Sequence, residues 1–115
     1  MRELQLKNLS NNLIIDKNDR YFINNFDGEK EVKITVNSNN ESSISLLSLD
    51  KFCGNIDIDI DVNSRLEIYF ADFAKNSSKV NVNISLMEGA NVIFHLASLT
   101  IENSNKNFTV SVDHN

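Results

Sequence analysis

The sequence predicts an all-β fold: a right-handed parallel β-helix, that is, a two-sheet β-solenoid of about three to four coils. Three observations carry that expectation. Apolar and polar residues alternate with a period of two almost from end to end, which marks strands, and helical periodicity is nearly absent. The alternation recurs as a unit of two strands and two corners, offset by about 24 to 26 residues. The corners are rich in Asn, Ser, Asp, Lys and Gly, yet there is no Asn-Gly, and the one Asp-Gly, Asp27-Gly28, precedes the repeat. A β-sandwich, with successive strands paired antiparallel through hairpins, is the alternative. The repeat favours the solenoid, because stacked coils set like residues over like.

In chain order, Leu13–Ile15 and Tyr21–Ile23 are short apolar segments in an N-terminal region, 1–30, expected to cap one end of a single domain spanning 1–115. The coils occupy 31–115. Val32–Val36 alternates its branched residues with Lys33 and Thr35, and Ser43–Leu49 alternates serines with Ile44 and Leu46. Ile56–Val62 carries isoleucine at every second position, and Leu66–Phe70 sets Leu66, Ile68 and Phe70 against Glu67 and Tyr69. Val80–Leu86, Val92–Leu96 and Phe108–Val112 complete the series. Sliding the sequence by about 26 residues lays Leu66, Ile68, Phe70, Ala71 and Phe73 on Val92, Phe94, Leu96, Ala97 and Leu99. The same shift lays Val82, Ile84 and Leu86 on Phe108, Val110 and Val112. A shift of about 24 sets Ile56, Ile58 and Ile60 between Val32, Ile34, Val36 and Val80, Val82, Ile84. It also sets Ile44, Leu46, Leu47 and Leu49 under Ile68, Phe70, Ala71 and Phe73.

The chain has 115 residues, enough for one core, with 41% hydrophobic and 23% charged residues. Its net charge of −5 offers no attraction to phosphate backbones or anionic lipid, so no nucleic-acid or membrane partner is expected. The N-terminal MRELQLKNL has no apolar stretch of the secretory kind. Cys53 is the single cysteine, suited to a reducing compartment, and the expected location is the cytoplasm.

Four places could carry chemistry. In Ile56-Asp57-Ile58-Asp59-Ile60-Asp61 the isoleucines are expected inward and the carboxylates outward. There Lys33, Thr35 and Asn37 flank them on one side and Asn81, Asn83 and Ser85 on the other, with Lys33 beside Asp57. Carboxylates on one flat strand face do not converge as a calcium site requires, so they read as a solvated face. Cys53, in DKFCGN, is expected at a corner, either as an exposed thiol beside Gly54 with Lys51 near or as a small residue tucked beneath the turn. His95 alternates with Phe94 and Leu96 and is expected to face outward and stack on Tyr69 one coil earlier. His114 lies by the C-terminus, where fraying is the default. No catalytic spacing, paired histidines, phosphate loop or CxxC is present, so the chain is not expected to be an enzyme.

The last third, NVNISLMEGANVIFHLASLTIENSNKNFTVSVDHN, resembles the SufB/SufD family of iron–sulfur cluster assembly scaffolds. The matching positions are the corner Glu88-Gly89-Ala90, the strands Val92–Leu99 and Phe108–Val112, and the closing Val112-Asp113-His114. VNSRLEIYFADFAKNSSKVNVNISL looks like the preceding coil. The resemblance covers roughly 60–115 and implies a non-enzymatic β-helix scaffold for iron–sulfur cluster biogenesis, partnered by a SufB/SufD-like subunit and a SufC-like ATPase. The chain stops at Val-Asp-His-Asn, where the family continues with coils holding the subunit interface and the cluster residues, and with a helical segment for the ATPase. It is therefore expected to be a fragment or a short relative without the cluster site. No catalytic, cofactor or metal residue is assigned, and Cys53 and His114 stand as candidates only. The open last coil is expected to self-associate through its C-terminal edge. The alternative is a stand-alone structural or carbohydrate-binding solenoid that uses an outer face.

Overall fold

The computed structural model describes residues 2–6, 12–24, 26–99 and 105–114. Strands alternate between two sheets, and no helix occurs among the described residues. One sheet holds β1 (Arg2–Leu6), β3 (Asp19–Ile23), β5 (Glu41–Ser48), β7 (Arg65–Asp72) and β9 (Asn91–Ser98), in that order. The other holds β2 (Asn12–Ile15), β4 (Gly28–Val36), β6 (Phe52–Ile60), β8 (Ser78–Leu86) and β10 (Lys106–His114). Every ladder is parallel and joins a strand to the one two positions along the chain. The result is a β-solenoid of about four turns, and the sandwich is excluded. Segment 1–30 supplies β1, β2 and β3, with β1 and β2 as the edge strands at one end. β1 has no counterpart among the sequence-derived strands, because two leucines are too few to mark an alternation.

The register is the expected one across β5, β7 and β9. Ile44 lies on Ile68 and Ile68 on Phe94, while Leu46 lies on Phe70 and Phe70 on Leu96. The rows run on into the corner, where the N–H groups of Phe73 and Leu99 donate to the carbonyls of Ser48 and Asp72. Leu49, Phe73 and Leu99 thus form an exposed apolar ridge. In the even-strand sheet two expectations are corrected by two residues. Ile56 pairs with Val32 as expected, but with Val82 rather than Val80, and Phe108 pairs with Val80 rather than Val82. The cause is corner length. The segment before β6 is 49–51, that before β8 is 73–77 and that before β10 is 99–105, so each exceeds the last by two residues. An even insertion leaves every side chain on its own face.

The opposite corners hold a constant length: 37–40, 61–64 and 87–90. Their third residues share a left-handed backbone, with φ of 61° at Asn39, 57° at Asn63 and 73° at Gly89. Asn and Gly are the residues that tolerate this region. At Gly89 a second constraint applies, because a Cβ would lie 2.2 Å from Oδ1 of Asn63 in the coil below. Backbone bonds continue through these turns, for example from the Asp61 N–H to the Val36 carbonyl and from the Met87 N–H to the Ile60 carbonyl. Ser64 adds a bond from its hydroxyl to the carbonyl of Asn37 and accepts one from the Asn40 N–H.

Between the sheets, Val32, Ile34 and Val36 lie on Ile56, Ile58 and Ile60, all 2% exposed or less. An aromatic cluster fills the core on the side of the variable corners. Phe26 stacks on Phe52 at 4.3 Å between ring centres, and Phe70 meets Phe26, Phe52 and Phe108 edge-on. Burial of these rings together with the aliphatic rows is the main favourable term for a chain of this size.

Candidate functional site

The structure separates the two candidate residues. Cys53 is the second residue of β6, not a corner residue, because the corner before it is only 49–51. It is half-buried on the outer side, between Glu29 and Lys79 in neighbouring strands. His114 ends β10, laddered to Leu86 rather than frayed, with its side chain exposed. Through Lys79 and Asn107, Cys53 lies seven residues along the strands from His114, or about 23 Å at 3.3 Å per residue. The structure does not bring them together.

The Asp57, Asp59 and Asp61 carboxylates lie outside while Ile56, Ile58 and Ile60 are buried. Asn83 Nδ2 donates to Asp57 Oδ1 at 3.0 Å. Lys33 shares a row with Asp57, but its ammonium reaches diagonally to Asp59 at 3.4 Å, a correction to the expected pairing. Asp61 belongs to the corner and accepts from the Val62 N–H at 2.7 Å. Among the described residues, no group of three or more His, Cys, Asp or Glu converges to hold a metal ion.

The outer face of the odd-strand sheet carries the more organised arrangement. Tyr69 and His95 stack as expected, with ring centres 4.6 Å apart and planes 7° from parallel. Sequence reasoning missed the third member: His95 Nε2 lies 3.0 Å from Glu67 Oε2. Glu67 is on the same face of β7 as Tyr69, a signal available from its spacing of two. The hydrogen bond to His95, with a second from the Tyr69 hydroxyl, holds the Glu67 carboxyl below its ordinary value. The same bond to Glu67 raises the Tyr69 phenol. Beside this group a groove of about 360 Å³ follows β5, floored by Ser43 and Ser45 and walled by Arg20 and Phe22 on β3 and by Glu67 and Tyr69 on β7.

Among the described residues, nothing covers the core rows at the β9–β10 end. Leu96, Val110 and Val112 are each 44% exposed, although they occupy core rows whose previous members, Phe70, Val82 and Ile84, are 2% exposed or less. At the other end Ile15 and Ile23 are fully buried. No protein family, curated protein or solved structure matches this chain. The two-sheet parallel solenoid is the class its own ladders define.

Proposed function

We propose that this chain is a non-enzymatic scaffold of the SufB/SufD type, a cytoplasmic assembly module for iron–sulfur cluster biogenesis that docks a second subunit through its β9–β10 end. The observation that carries the reading is the uncovered core at that end, where Leu96, Val110 and Val112 meet solvent in rows that are dry one coil earlier. Apolar side chains and a free strand edge at one place form a template for another coil, and a second copy of this chain supplies one of the right period. The order corner, strand, linker, strand over 88–114 supports the same reading. Cluster chemistry, on this view, belongs to the SufB/SufD-like partner and the SufC-like ATPase.

Sedimentation over a dilution series tests the docking. The wild type should shift from dimer to monomer on dilution, and Leu96→Glu should remain monomeric while keeping its strand signal. A wild type that is monomeric at every concentration defeats the docking claim. Recovery of a SufC-like ATPase with the tagged chain from its source cells tests the biological assignment. Recovery of the chain without it removes the iron–sulfur role.

A further inference from the structure

We propose that the groove along β5 binds a neutral saccharide, one pyranose ring seated between Phe22 and Tyr69. Phe22, Ser45 and Tyr69 occupy one row across three adjacent strands, and His95 is the next member of that row. One face of the Tyr69 ring is covered by the His95 imidazole, so its other face turns toward Ser45 and the groove. Tyr69 is 41% exposed, with its plane already held by the histidine, which is held in turn by Glu67. That is a preorganised aromatic platform.

The width selects the occupant. Two strand spacings put Phe22 and Tyr69 about 9.6 Å apart at the backbone. A flat aromatic ring between two faces needs only about 7–8 Å at ordinary contact distance. A puckered saturated ring, with hydrogens on both faces, is thicker and better matched. The polar lining points the same way. Arg20 and Arg65 can only donate, Glu41 and Glu67 only accept, and Ser43 and Ser45 do both. Sugar hydroxyls satisfy all three kinds, whereas an anion meets two carboxylates and a cation meets two guanidiniums. At about 360 Å³ the space is at the small end of ligand sites, which suits one or two sugar rings.

With no tryptophan and only two tyrosines, one of them buried in the core away from the groove, a change in tyrosine emission on adding ligand is assigned to Tyr69. The full chain should be titrated with cellohexaose, maltohexaose, mannohexaose and chitohexaose, with adenosine monophosphate as the flat, anionic comparator. Calorimetry should repeat each titration, because Tyr69→Ala removes the reporter. At least one saccharide should saturate with a dissociation constant of about 1 mM. Tyr69→Ala should weaken it by roughly tenfold or more, and Ser45→Leu, which fills the floor, should abolish it at an unchanged urea midpoint. Asn83→Ala, on the outer face of the other sheet, should bind as the wild type does. No saccharide response by about 10 mM, a site taken by adenosine monophosphate instead, or undiminished binding in Ser45→Leu would overturn the proposal.

Discussion

Lys106 Nζ lies 3.3 Å from Asp72 Oδ1, and both side chains are almost wholly buried. The same ammonium donates to the carbonyls of Ala74 at 2.7 Å and Asn76 at 2.8 Å. A lysine of the last coil therefore closes the corner between β7 and β8. In the shorter corner between β5 and β6 the closing group is the Asp27 carboxylate. Its Oδ1 accepts from the Ser48 hydroxyl and from the N–H groups of Leu49, Asp50 and Lys51. Corners of different length are thus each tied down by a charge from a neighbouring coil.

Lys106→Met should cost about 3–5 kcal/mol, because it leaves a buried carboxylate without its cation. Asp72 Oδ2 already has no hydrogen-bond partner among the described residues, so the loss has little to offset it. Adding Asp72→Leu to Lys106→Met should recover much of the stability, read as the urea midpoint at constant slope. A double variant weaker than the single one would contradict this account.

Asp27→Ala should cost about 2 kcal/mol at neutral pH, since four donors lose a charged acceptor. Burial alone would raise this carboxyl, but the N–H of Asp50, the Ser48 hydroxyl and the N–H groups of Lys51 and Leu49 together hold it below 3.8. The contribution of a lowered acid is complete above its unfolded value and disappears as pH falls through the folded one. The gap between wild type and Asp27→Ala should therefore narrow as pH falls below the unfolded carboxyl value of about 3.9, and a constant gap would rule out this linkage.

The Tyr69 phenol should ionise above the ordinary value of 10.0, because its bond to the Glu67 carboxylate favours the protonated form. Stability from this contact is present below that pH and lost as pH rises through the folded value. Glu67→Gln should move one tyrosine transition downward in an ultraviolet titration. An unmoved transition would show that the bond does not form in solution.

Gly89→Ala should destabilise by about 1–2 kcal/mol through its left-handed backbone alone, with more from contact against Asn63. Asn39→Gly, at the equivalent place one coil pair earlier, should be nearly neutral in the same thermal melt. Equal effects at the two positions would contradict the shared corner geometry.

In the odd-strand sheet the register of β5, β7 and β9 was legible to the residue, as Ile44, Ile68 and Phe94 show, because the corners leading into these three strands share one length. The even strands slipped by two positions at β8 and β10, because alternation carries no record of how many residues a corner holds. Phe26 and Phe52 went unread as core for a related reason: each lies at or beside a corner, where the period of two breaks down. His95 over Tyr69 followed from the repeat, whereas the groove between Tyr69 and Phe22 required knowing that β3 belongs to the same sheet as β7.

By itself the sequence determined which face of each strand turns inward and that a two-strand unit repeats, because a strand's alternation and its repeat are properties of linear order. The parallel ladders of the structure decided for the solenoid over the sandwich. Only the tertiary structure decided which charges meet, Lys33 with Asp59 and Lys106 with Asp72, and where aromatic and polar groups gather into a groove. Those contacts run across coils more than 25 residues apart, and their geometry depends on corner lengths and side-chain reach that no local pattern records.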